Sequence, residues 1–375
     1  MTKLKTSAPT LSLDTADSKH DFVQQLASAW HPKNWINFPI VLAVSGGSDS
    51  VALLHGVKEL RDRFEHSDAY SEDKSFSQSN KQKIENRLLV GHFNHGMHER
   101  EVEATADARF VQSICEKLKL PCEIGEVEQT SIEKTPREGW ESTYRNMRYA
   151  FLLKLAEKHG ARYIVTGHTA DDQVETILHR VIRGTGLRGL AGMPRSRSLS
   201  PSVSLLRPML GLSRSMARDY LESLEIEWKN DSTNASAAFT RNRIRHDLLP
   251  LLERDFNPQV STAVLRLSQL AGEAQEMVDG VIANTLAACR SLKSNDEIVL
   301  KIGELVAQPE FLIRELMIAI WRERGWPLQA MGLREWQSLA ELLQEADPGV
   351  LTLPGSVVAK KEGGKLSLHR PQINT

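Results

Sequence analysis

The stretch Val41-Leu-Ala-Val-Ser-Gly-Gly-Ser-Asp-Ser50 carries the densest chemistry in this sequence. Val41 to Val44 read as a short buried strand, and Ser45, Gly46, Gly47 and Ser48 follow as a turn without a bulky side chain. A helix opens at Asp49-Ser50 and continues through Val51, Leu53, Leu54 and Val57 at helical spacing. Small residues let backbone N–H groups approach a phosphate, and a helix N-terminus adds partial positive charge. The turn therefore reads as an anion cradle. It lacks the Gly-Lys-Ser/Thr ending of the common nucleoside-triphosphate loop and the glycine spacing of a dinucleotide fingerprint.

A second concentration of chemistry follows another apolar run, Tyr163 to Thr166, in Gly167-His-Thr-Ala-Asp-Asp-Gln-Val-Glu-Thr176. Asp171 and Glu175 lie one helical turn apart on a shared face, with Asp172 beside them at the helix start. Acids in a first turn can simply complement the helix dipole. Together with His168, just past a strand, they also suit a cationic ligand or Mg²⁺. Glu141, Arg145 and Arg148 share a helix face, which fits either a surface salt bridge or a phosphate clamp. From Arg180 to Tyr220 eight arginines, Arg183 and Arg188 among them, stand against one acid, Asp219, and Arg241, Arg243 and Arg245 form a further basic run. These flank the acid and glycine motifs, which points to phosphate contact. Asn94 and His95, with His92 and His98, end a strand. No distant Cys or His pair completes a zinc site with them, so they read as polar residues on the ligand-binding edge of a sheet.

The elements that must position these groups follow from strand–helix alternation through residue 180. That alternation predicts an α/β fold with a doubly wound parallel sheet. Residues 1–20 read as a disordered segment, 21–250 as the catalytic domain and 66–86 as a solvated polar insertion. Residues 251–375 read as a smaller, mainly helical domain ending in a strand pair. The 375 residues, 41% hydrophobic, suffice for two or three cores. No apolar run reaches membrane-span length and no signal or transit composition opens the chain, so a cytoplasmic protein is expected. The three cysteines, Cys115, Cys122 and Cys289, offer no disulfide or zinc framework and read as core residues.

In this order the motifs resemble those of the tRNA(Ile)-lysidine synthetase family, N-type ATP pyrophosphatases of the adenine-nucleotide α-hydrolase type. The resemblance covers about residues 38–250 and is weaker in the tail. It implies ATP-dependent adenylation of the wobble cytidine of a CAU-anticodon tRNA(Ile), then attack by L-lysine with release of AMP. Ser45 to Ser50 would hold the leaving pyrophosphate, and Asp49 with Asp172 would hold Mg²⁺. His168, Asp171 and Glu175 would bind or deprotonate the lysine amine. Arg145 and Arg148 would hold the α-phosphate or the lysine carboxylate. Asn94, His95, Glu141, Arg183, Arg188, Arg241, Arg243 and Arg245 would meet substrate or tRNA, the tail would bind tRNA, and a homodimer is compatible with all of this. Thr169 departs from the pattern, since many members carry a histidine there. The alternatives are a tRNA thiolation enzyme using the same adenylation, which generally wants paired cysteines, and a non-catalytic tRNA-binding protein.

Overall fold

Strand β1 (Ile40–Ala43) is apolar throughout because both of its faces are covered. Ile40 and Leu42 enter one core with Phe22, Leu26, Leu53, Leu54 and Val57. Val41, between them, enters another with Leu152, Leu155, Ile164 and Leu205. This period-two division repeats in β2 (Leu88–Asn94), where Leu88 and Val90 face the first core and Leu89 the second. Helices α1 (Ser18–Ala29), α2 (Ser48–Glu65) and α3 (Glu101–Leu118) cover one side. Helix α4 (Trp140–Lys158) covers the other. The expected doubly wound arrangement is present.

The computed structural model describes residues 18–66, 87–94, 101–127, 140–229, 240–293, 297–345 and 347–371. Of the expected disordered segment 1–20 and polar insertion 66–86, residues 1–17 and 67–86 lie outside the described residues, as do His95 and His98, whereas Ser18 to His20 begin α1 and His66 is the C-cap of α2.

With β3 (Cys122–Glu126), β4 (Tyr163–Thr166), β5 (Ser196–Ser198) and β6 (Ser204–Leu206), the first sheet runs in the order β3-β2-β1-β4-β6-β5. All its pairings are parallel except β5 with β6. The chain moves outward from β1 to β2 and β3, then returns to the opposite side of β1 as β4. That reversal makes the carboxyl ends of β1 and β4 a topological switch point, where open sheets of this kind bind ligands. Helix α2 leaves β1 there, and α5 (Ala170–Ile182) leaves β4. Helix α6 (Arg214–Ser223) packs its Ala217, Tyr220 and Leu221 into the first core.

The chain divides into compact units Met1–Ser268 and Gln269–Thr375. The division falls inside the uninterrupted helix α7 (Val260–Cys289), past the expected boundary at residue 250, so no linker composition marks it. The second unit has its own core, with Trp321 edge-on to Trp326 and Trp336 at 4.9 and 5.2 Å. Its α8 (Glu310–Arg324) and α9 (Leu333–Gln344) lie with a sheet of β7 (Arg290–Lys293), β8 (Glu297–Lys301), β9 (Gly349–Leu353), β10 (Val357–Glu362) and β11 (Lys365–His369). The order is β7-β8-β11-β10-β9, so the terminal pair expected from sequence, β10–β11, is joined by three further strands. Among the described residues no helix is long and apolar enough to cross a membrane.

Candidate active site

The loop after β1 is braced by one of its own side chains. Ser50 Oγ accepts from the N–H groups of Ser45 and Gly46 at 3.1 and 3.2 Å and donates to the Gly47 carbonyl at 2.9 Å. Gly46 takes φ +97°, a left-handed conformation that glycine adopts without strain. With Ser50 so engaged and no side chain capping α2 at Gly47, the first N–H groups of the helix remain open to an anion. Gly167, at the end of β4, lets the second motif approach this loop. A Cβ there would lie 2.7 Å from the Asp49 carbonyl oxygen and 3.2 Å from Ser50 Cα.

The acids of the two motifs converge. Thr169, fully buried, caps α5: its N–H donates to Asp172 Oδ2 at 2.9 Å, and its hydroxyl accepts from the Asp172 N–H at 3.4 Å. The residue that departs from the family pattern thus serves as a helix cap. This leaves Asp172 Oδ1 facing Arg214 and Arg241 at 2.9 and 3.1 Å. Arg214 also reaches Asp49 at 3.2 Å and Glu175 at 3.5 Å, and its backbone N–H donates to Asp171 Oδ2 at 2.8 Å. Glu175, 3% exposed, is further paired with Arg241 at 2.8 Å and approached by Arg245 at 3.9 Å. Every acid singled out in these two motifs therefore meets one residue, Arg214. It was visible in the sequence only as a member of the basic run.

Electrostatics follow from this packing. Burial raises the Asp49 carboxyl above its ordinary value, against the pull of Arg214. Burial pushes Asp172 the same way, but Arg241 and Arg214 outweigh it and the carboxyl sits below its usual range. Burial drives His168 down to about 3, with Arg207 and Arg148 adding to the effect of burial against the opposing pull of Asp172. His168 is therefore neutral near pH 7, its Nδ1 at 2.8 Å from the Thr166 hydroxyl.

The remaining expected residues divide. Arg145 and Arg148 sit on α4 against the Tyr149 ring, at 5.6 and 5.5 Å from its centroid. Asn94 ends β2, opposite Glu126. Arg241 and Arg245, expected to meet substrate or tRNA, face the acids, and Arg243 is exposed. Arg183 ends α5 and is exposed, and Arg188 lies in the short helix Leu187–Leu190. The side chain of Glu141 lies outside the described residues.

A PP-loop domain profile matches residues 19–252. The tRNA(Ile)-lysidine synthase of Rhodopirellula baltica is 32% identical over 87% of this chain and 85% of its own length. That of Thermus thermophilus is 33% identical over 89% of this chain but 57% of its own length, so the chain spans just over half of that relative. Among solved structures, a U34-tRNA thiolase from Methanococcus maripaludis overlays with TM-score 0.49 at 16% identity, covering 68% of this chain and 80% of that one.

Proposed function

The chain belongs to the tRNA(Ile)-lysidine synthase family of PP-loop proteins, and from that membership we propose that it joins L-lysine to C2 of the wobble cytidine in CAU-anticodon tRNA(Ile). The product reads AUA in place of AUG. In the first step the cytidine O2 attacks the α-phosphorus of ATP, the α–β bridging bond breaks and pyrophosphate leaves. In the second the lysine ε-nitrogen attacks C2, the C2–O bond breaks and AMP leaves, and the proton lost by the amine passes to the Asp171 and Glu175 carboxylates.

The observation that carries this reading is the convergence of Asp49, on the anion-binding loop, with Asp172 and Glu175 around a single positive group. A site that places an uncapped helix N-terminus next to carboxylates serves a leaving anion and an incoming cation at once. Ser45 to Ser50 hold the pyrophosphate. Glu175 and Asp171 receive the lysine ammonium, beside the place that Arg214 fills in the free chain. Among the described residues no group of three or more acid, His or Cys side chains forms a closed metal site. Hard oxygen donors at Asp49 and Asp172, both directed at one cation, suit an ion that arrives with phosphates. Asp49 and Asp172 would hold Mg²⁺, which when bound would neutralise charge on the departing pyrophosphate. His168 serves as a neutral hydrogen-bonding group beside the reacting base. Arg145 and Arg148 lie on the helix that lends the α-phosphate its positive charge. The buried thiols Cys115 and Cys289 belong to the two cores, and Cys122 packs against the first, which leaves a thiolation reading without a nucleophile at the loop.

The test is incorporation of radiolabelled lysine into a CAU-anticodon tRNA(Ile) transcript, with and without ATP, beside Asp49→Asn. Labelling that requires ATP and is lost in the variant is the expected result. AMP and pyrophosphate formed with tRNA but without label would refute lysine as the nucleophile. RNA binding with no ATP consumption would favour a non-catalytic tRNA-binding protein.

A further inference from the structure

Three guanidinium groups crowd one tyrosine ring, and a fourth stands at its hydroxyl. Arg145, Arg148 and Arg197 lie 5.6, 5.5 and 5.5 Å from the centroid of Tyr149. Arg207, 2% exposed, donates from Nη1 to the Pro194 carbonyl at 2.8 Å and faces the Tyr149 hydroxyl outside hydrogen-bond geometry. That hydroxyl is buried without a hydrogen-bond partner, as is Arg207 Nε, and Tyr149 is only 9% exposed. Among the described residues none of these four arginines is paired with a carboxylate, in contrast to Arg214 and Arg241 nearby.

Such an arrangement is electrostatically incomplete. Like charges gathered at low dielectric repel one another, and each ring contact recovers only about 0.5–2 kcal/mol. Burial lowers the proton affinity of Arg148 and Arg207, and the Tyr149 phenol is held below its usual range by Arg148 and Arg145 in spite of its burial. A cluster of positive groups with no carboxylate partner among the described residues attracts an anion.

The position of Arg197 decides which anion. It lies on β5, the edge strand of the sheet, whose three residues are all exposed. A charged edge strand can serve simply to discourage pairing with other chains. That role does not require its guanidinium to close over a buried ring shared with two other arginines. The cluster runs from a buried end, where Arg207 and Arg148 act on His168, to this exposed end. The exposed end lies on an edge strand, where a polyanion held there can continue outward into solvent. We propose that Arg197, over the face of Tyr149, is a docking point for a backbone phosphate of the RNA, adjacent to the nucleotide undergoing modification. The proposal rests on the function inferred above and adds to it a contact made by β5.

Arg197 is exposed, so its replacement leaves the fold intact and the test is direct. The full chain and its Arg197→Gln and Arg197→Lys variants are titrated with a fluorescent CAU-anticodon stem-loop RNA across a series of KCl concentrations. The KM for ATP is measured in the lysine ligation assay. The expected result is several-fold weaker RNA binding in Arg197→Gln and a salt slope shallower by about 1. The KM for ATP stays unchanged, and most of the slope returns in Arg197→Lys. Unchanged RNA affinity and slope would overturn the proposal, as would a loss confined to the KM for ATP. An unsubstituted protein that binds RNA but ligates no lysine counts against the function above, and the binding series then still decides the fate of Arg197 by itself.

Discussion

Arg214 does for the acids of this site what a bound cation would do. Its partners Asp49 and Glu175 come from separate helices, and Glu175 is nearly inaccessible, so removing the guanidinium leaves buried negative charge that Arg241 only partly answers. Arg214→Met is expected to lower unfolding stability by on the order of 3 kcal/mol, measured as a shift in the urea midpoint. Saturating Mg²⁺ is expected to return part of that loss, because a cation can take the same oxygens; a variant as stable as the parent would sink this account. His168 supplies a second residue-level test. Its proton affinity falls from an ordinary 6.5 to about 3, so between those values the unfolded chain binds a proton that the folded chain refuses. Stability is therefore complete above pH 6.5 and is lost as pH falls through that window, with a limiting slope of about 1.4 kcal/mol per pH unit. Asp49, raised by burial, acts in the opposite sense at the acid end, since it gains a proton more readily when folded. Comparing urea midpoints at pH 7 and pH 5, His168→Gln should flatten the dependence; an unaltered slope would mean that other groups carry it.

At the scale of elements, the site is two strand–turn–helix units laid side by side, and Gly167 sets their separation. A methyl group there meets backbone at 2.7 Å, which cannot swing aside as a side-chain end can. Gly167→Ala is expected to displace the start of α2 and raise the KM for ATP roughly tenfold or more, while the fold persists by circular dichroism. An unchanged KM would show that the loop tolerates the displacement. Both units were legible in the sequence because their signals are local: an apolar run, a turn of small residues, then helical spacing. Thr169 and Asp172 likewise form a cap within four consecutive residues. What escaped the sequence depends on distance along the chain. Arg214 meets Asp49 across 165 residues, and nothing around it distinguishes it from its basic neighbours. Strand β5, Ser196-Arg-Ser198, has no apolar alternation and exists because it pairs with β6, Arg197 opposite Leu205. Strands β7 and β8 were missed for a similar reason, since they are short and lie between a long helix and a helix-rich stretch.

At the scale of the whole molecule, a formal charge of −1 gives no hint of RNA binding, yet the average conceals a separation of charge. Eight arginines face one acid between residues 180 and 220, but they are not equivalent once folded. Arg214 is neutralised by carboxylates, Arg207 is buried, and Arg180 is tied to the carbonyls of Gly189 and Gly192 at 3.0 and 2.7 Å. Arg183, Arg195 and Arg197 remain exposed, as do Arg145 on α4 and Arg243 beyond α6. Counting these side chains as phosphate contacts predicts that log K for tRNA falls against log salt with a slope of roughly −3 to −5. A slope near zero would mean that the basic segments are ordinary solvated surface. One near about −10 would require that arginines now held by carboxylates, Arg214 and Arg241 above all, exchange those partners for phosphate when RNA arrives. The salt series thus separates a preformed basic face from one assembled by opening the acid cluster, and the ion pairs at Asp172 and Glu175 favour the first.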